Sequence, residues 1–122
     1  MVALVVGLGR VRGALVRGIG EISAKNDTLV AVVAHAGDGN THPLVVFDPA
    51  DAAAAERAQT AYDGIMRLAI ELGGTITGEH GVGAAKRPWL ERRLGADQMA
   101  LLRRIKTAFD PAGILNPGKL GS

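Results

Sequence analysis

The sequence contains no cysteine. A disulfide scaffold, a thiolate nucleophile and a thiolate-bound metal are therefore excluded, and any metal site must be built from His, Asp and Glu. Aromatics are scarce, with one Trp, one Tyr and two Phe. They do not interleave with basic residues as a platform for stacking bases would, which argues against nucleic acid as a partner. Long apolar runs are also missing: none approaches the roughly 20 residues of a membrane-spanning helix, and Met1 to Val6 is too short for a secretory signal. A cytoplasmic protein with no membrane span is the expectation.

Net charge is small as well, +2 from 14 basic and 12 acidic residues. It is unevenly placed, since residues 79–122 hold eight Lys or Arg against four acids. Arg92-Arg93 and Arg103-Arg104 either face an anionic cofactor, substrate or partner or, as is usual on helices, face water. What the chain does have is apolar content, 48% over 122 residues, enough for one folded domain over 1–122. Residues 1–10 make an atypical start and 111–122 a turn-rich tail; no internal repeat is present.

Val2 to Val6 is a β-branched run stopped by Gly7 and Gly9, the pattern of a buried strand entering a turn. Val11, Leu15, Ile19 and Ile22 then recur at helical spacing and predict a helix over 10–25. Gly13, Gly18 and Gly20 each cost that helix up to ~1 kcal/mol, so its stability must come from packing. Gly7, Gly9 and Gly13 faintly resemble a dinucleotide fingerprint, but the acidic residue it needs after the second strand is replaced by His35, which favours a structural turn.

Thr28 to Ala34 and Pro43 to Phe47 predict two strands joined as a hairpin through Asp38-Gly39-Asn40, the first strand buried on both faces or central in a sheet. Asp48 predicts an N-cap, with Pro49 at the first helical position and Asp51 in the first turn. Ala58, Tyr62, Ile65, Ala69 and Leu72 form one apolar stripe along this helix, and Gly73 suits its left-handed C-terminal residue. A brief strand, Thr75 to Thr77, follows. The order predicts an α+β fold: a ferredoxin-like βαββαβ antiparallel sheet with helices on one face. Two C-terminal helices complete it, a short one opened by Pro88 and carrying Trp89, and one over about 97–109 with Met99, Leu102, Ile105 and Phe109 inward.

All three histidines fall in two glycine-bearing segments, His35-Ala36-Gly37-Asp38-Gly39-Asn40-Thr41-His42 and Gly78-Glu79-His80-Gly81-Val82-Gly83. His35 and His42 flank the hairpin loop and can turn toward one point. Asp38 or Glu79 would complete a set of two histidines and a carboxylate. In an extended segment Glu79 and His80 point to opposite sides, so a ligating Glu79 leaves His80 free as a general base. Spacing alone leaves both a metal site and ordinary hairpin punctuation open. Sheet geometry adds a difficulty, because a five-residue strand at about 3.3 Å per residue would hold Glu79 roughly 15 Å from the hairpin histidines. The last strand must then be short and its loop folded back, or the sheet order must differ, or the site is not assembled.

These two segments and Leu115-Asn116-Pro117-Gly118-Lys119, in this order, resemble the signature segments of the C-terminal domain of FAD-linked oxidases. That family includes glycolate oxidase FAD-binding subunits, D-lactate dehydrogenases and D-2-hydroxyglutarate dehydrogenase. The resemblance implies that His35, His42 and Glu79 hold a divalent ion, usually zinc, and that His80 takes the hydroxyl proton of a 2-hydroxy acid while hydride passes to the flavin. It further implies that FAD is bound mainly by a domain outside this sequence, in the parent protein or on another chain, with Asn116, Gly118 and Lys119 on the flavin side of the tail. Without that domain the chain is not expected to turn over substrate. Two other readings stay open: a non-catalytic interaction module, which as a homo-oligomer would use an exposed sheet or helix face, and a small metal-binding protein.

Overall fold

The computed structural model describes residues 12–35 and 37–119, and the chain divides into two compact units, one up to His80 and one from Gly81 onward. The expected strand Val2 to Val6 and the turn glycines Gly7 and Gly9 lie outside the described residues.

The first unit is α+β. It runs helix α1 (Arg12–Lys25), strands β1 (Leu29–His35) and β2 (Asn40–Val46), then helix α2 (Ala52–Glu71). The strands pair antiparallel with Leu29 opposite Val46 and His35 opposite Asn40. Helix α1 packs on α2 and on β1, and α2 packs on β2. The core is Leu15 and Ile19 of α1, Val45 of β2, and Ala58, Ala61, Tyr62, Ile65, Met66 and Ala69 of α2, with Ile76 beyond it. Gly18 of α1 finds its explanation here. A Cβ on Gly18 would stand 2.5 Å from Leu68 Cδ2, and one on Gly64 of α2 would stand 3.3 Å from Ile22 Cγ2. The two helices approach through small residues, and packing replaces what glycine costs in helix propensity.

Strand periodicity sorts the hairpin into two faces. Thr41, Pro43 and Val45 are buried, whereas Leu29, Ala31, Val33 and Val46 on the other face are exposed. The expectation that the first strand is covered on both sides is therefore corrected: helices cover one face only. Of the ferredoxin-like plan, the central helix–strand–strand–helix is present. Thr75 to Thr77 is not a strand; Ile76 is fully buried, but the segment runs irregularly and joins no sheet among the described residues.

The start of α2 also differs from expectation. Asp51, not Asp48, is the N-cap, accepting hydrogen bonds from the amides of Ala53 (2.9 Å) and Ala54 (3.1 Å). Asp48 instead accepts from the Ala50 amide within a preceding turn, so Pro49 stands before the helix. Both aspartates offer the same chemistry, and the turn between them decides which one meets the free amides of the helix. The end of α2 is as expected. Gly73 takes φ +78°, its amide reaches Ile70 O, and the Gly74 amide reaches Ala69 O, a Schellman closure that needs the left-handed residue.

The second unit carries α3 (Arg87–Leu94) and α4 (Ala96–Phe109). Trp89 and Leu90 are buried, and the Arg92 guanidinium lies 4.7 Å over the Trp89 ring. The inward face expected for α4 is not found: Met99 and Leu102 are half-buried, while Ile105 and Phe109 are exposed, Phe109 at 82%. Lys86 is buried and donates to Gly81 O, and burial lowers its pKa.

Asp110 ends α4 and clasps the tail. Its carboxylate accepts from Lys106 Nζ and from the amides of Ile114 (3.0 Å) and Leu115 (3.0 Å), while Lys106 also donates to Leu115 O. The hydrogen bond from Lys106, ahead of those from the two amides, holds the Asp110 carboxyl below its usual range. A lowered carboxyl pKa contributes stability that is complete above the unfolded value of about 4 and is lost as pH falls through the lower folded value. Protection of the Ile114 and Leu115 amides, their exchange compared with the unfolded rate at the same pH, should therefore fall below about pH 4. Asp110→Asn should show fast exchange at neutral pH and no further acid step.

Candidate metal centre

The hairpin tip is narrower than the sequence suggests. Strand β2 begins at Asn40, so His42 stands within a strand opposite Val33 rather than beside a flexible loop. The turn is closed by the Gly39 amide on His35 O (3.0 Å), with Gly39 at φ +83°, and by Asp38 Oδ1 accepting the Asn40 amide (2.9 Å). Asp38 thus spends its carboxylate on turn geometry, which favours Glu79 over Asp38 as the acidic partner of the histidines. By alternation His35, Asn40 and His42 share one face of the hairpin, the face left open by the helices. On that face Asn40 and His42 are nevertheless only 8% exposed.

Glu79 arrives there on the irregular segment after α2. The Schellman turn reverses the chain and Ile76 anchors it in the core, so no extended strand carries Glu79 away. The chain folds back toward the hairpin as one of the expected ways out required, but with no last strand before it among the described residues. Glu79 Oε1 lies 3.0 Å from His42 Nε2 and 3.7 Å from His35 Nε2, and it accepts from Asn40 Nδ2 at 2.8 Å. The donor atoms of His35, His42 and Glu79 all lie within 4.8 Å of one another. Ligands about 2.05 Å from a tetrahedral zinc ion stand about 3.4 Å apart, so the donor set fits such an ion with small side-chain adjustment.

His80 corrects the extended-chain argument. Residues 78–80 form bends, and His80 Nε2 is 3.6 Å from Glu79 Oε1 instead of on the opposite side. The His42 ring packs between two edges, 5.3 Å from His35 and 5.1 Å from His80 between centroids, both T-shaped. Side-chain exposure separates the group: His42 is 11% exposed, whereas His35, His80 and Glu79 are each above half. The cluster is seated on a buried imidazole and opens to solvent on its other side.

Asn116, Gly118 and Lys119 belong to the second unit. Asn116 (φ +46°) and Gly118 (φ +75°) bend the tail, the Lys119 amide reaches Asn116 O at 3.2 Å, and Arg87 Nη1 donates to Gly118 O at 2.8 Å. These bonds make an ordered corner at the end of the tail. Asn40 is the residue that sequence reasoning passed over. It was read as turn punctuation, though its position two residues before His42 places it on the ligand face if the strand starts there.

An α+β unit with two histidines and a glutamate converging on its sheet narrows the class, and comparison with known proteins names it. Residues 12–120 match the family described as FAD linked oxidases, C-terminal domain, and the chain belongs to that family. The chain is 47% identical over 106 residues to the glycolate oxidase subunit GlcD of Bacillus subtilis (strain 168), covering 87% of this chain and 23% of that protein. GlcD of Escherichia coli (strain K12) is 42% identical over 105 residues, 86% of this chain and 21% of that protein. The mitochondrial D-lactate dehydrogenase [cytochrome] of Arabidopsis thaliana is 44% identical over 92 residues, 75% of this chain and 16% of that protein. The chain thus spans less than a quarter of the length of these relatives. Among the described residues, no helix is long and apolar enough to cross a membrane.

Proposed function

We propose that this chain is the C-terminal, substrate-side part of an FAD-dependent enzyme that oxidises a 2-hydroxy acid of the glycolate or D-lactate type to the 2-oxo acid. The observation that carries the reading is the convergence of Glu79 Oε1 on His42 and His35 from a segment 37 residues further along the chain than His42. In this reading His35, His42 and Glu79 hold one divalent cation, zinc by the nitrogen-rich donor set. When bound, the cation supplies Lewis-acid polarisation of the substrate hydroxyl and carboxylate, and the flavin supplies the hydride acceptor.

The remaining work falls to the chain itself. His80, with half its side chain in solvent, accepts the hydroxyl proton at Nε2 as the carbon–oxygen bond becomes a carbonyl and the carbon-bound hydrogen leaves with its electron pair. His42 orients the group, because its buried ring is in edge contact with the other two imidazoles. Asn116, Gly118 and Lys119 contribute a contact to a flavin held mainly by the part of the enzyme that this chain does not span.

The non-catalytic interaction reading rests on the open sheet face, where Leu29, Val33 and Val46 are each more than half exposed. That surface is compatible with contact to the rest of an enzyme or to a second copy. A chimera decides between enzyme part and bare interaction module. The chain should replace the matching C-terminal segment of Bacillus subtilis GlcD and retain substrate-dependent flavin reduction with glycolate or D-lactate. The purified chain mixed with FAD and the same substrates should reduce none. A folded, flavin-loaded chimera that reduces no flavin with either acid contradicts the proposal, and so does turnover by the chain alone.

A further inference from the structure

We infer that Asn40 is a positioning residue, holding the Glu79 carboxylate oxygen toward His35 and His42 so that the three donors can share one cation. The inference rests on the proposed cation site and assigns to it a residue that supplies no ligand.

Glu79 needs such a support. It sits on an irregular segment, its side chain is half exposed, and a carboxylate so placed is free to turn to water. Asn40 has what the task requires. Its own backbone is fixed by the strand pairing opposite His35 and by the hydrogen bond from its amide to Asp38 Oδ1. From that fixed point Nδ2 donates at 2.8 Å to Oε1, the same oxygen that approaches both histidines. A neutral amide donor does not compete with the carboxylate for a cation, and it leaves the second lone pair of Oε1 to a metal.

The cost of the arrangement points the same way. Asn40 is 8% exposed and its Oδ1 is fully buried without a hydrogen-bond partner among the described residues. A buried acceptor left unpaired is destabilising, and exchanging the oxygen and nitrogen would set oxygen against the Glu79 carboxylate. Among the described residues, the one paired group of the Asn40 side chain is the amide nitrogen that donates to Glu79.

The test is a double-mutant cycle on zinc affinity of the purified full chain, measured by competition with a chromogenic chelator, with thermal melts to confirm folding. Asn40→Ala should weaken zinc binding about tenfold or more, the effect of losing a supporting hydrogen bond to a ligand. Asn40→Leu, which keeps the site filled, should match it. In a Glu79→Ala background the same substitutions should change affinity by less than about twofold, because the group they act through is gone. Unchanged affinity in folded Asn40→Ala and Asn40→Leu overturns the inference while leaving the cation site standing. An equal loss in both backgrounds also overturns it, by showing a merely structural role. Absence of zinc binding by the unaltered chain overturns the cation site, and this inference with it.

Discussion

Zinc binding should be lost in His42→Ala. His42 is the buried member of the cluster, its Nε2 is 3.0 Å from Glu79 Oε1, and its ring is in edge contact with both other imidazoles. Removing it deletes one of three donors and also the group that aligns the rest. The loss of affinity should exceed the roughly 10–100-fold associated with an outlying hydrogen bond to a ligand. His35→Ala and Glu79→Ala should weaken zinc binding to a smaller, still measurable extent, because both side chains are more exposed. Elemental analysis of the purified variants beside the unaltered chain checks this, and folding is checked separately because His42 fills space on the hairpin. Metal at unchanged stoichiometry and affinity in folded His42→Ala would remove His42 from the ligand set.

His80→Gln should divide the site's two proposed tasks. His80 lies beside Glu79 but outside the group of three donors within 4.8 Å of one another. The variant should keep zinc, because glutamine is asked for no coordination. In the GlcD chimera, turnover should fall by about 10²–10⁴-fold, the range associated with a positioned general base. The fall should appear in kcat with little change in KM. Loss of zinc in His80→Gln would make His80 a ligand instead, and full activity would pass the base to another group.

Much of this could be read from residue order, and the failures have physical causes. The apolar stripe from Ala58 to Ala69 placed α2 correctly because a helical period repeated over several turns resists misreading. Gly73 was legible because its left-handed angle admits few residues. Asp48 and Asp51 were not separable, since a cap is chosen by the backbone turn before it. Ile105 and Phe109 show the limit of periodicity, which identifies the apolar face of α4 but not whether anything covers it.

The same division runs through the site. His35 and His42 with either Asp38 or Glu79 could be nominated from residue type and spacing, and the structure brings Glu79 to the two histidines. Their meeting depended on Glu79 being delivered by an irregular segment instead of a strand, and irregular backbone has no period to read. That also misdirected the expectation for His80: alternation holds along a strand, and residues 78–80 are bends. Asn40 was missed by one boundary. Beginning β2 at Asn40 rather than Pro43 turns a punctuation residue into a neighbour of His42 on the ligand face.

The central claim is that His35, His42 and Glu79 form one cation site within this chain. X-ray absorption at the zinc edge of the zinc-loaded chain tests it most directly. The spectrum should show one zinc per chain with two imidazole nitrogens at about 2.0–2.1 Å and a carboxylate oxygen at about 2.0–2.2 Å. Failure to retain zinc, or a shell of three imidazoles that includes His80, would contradict it.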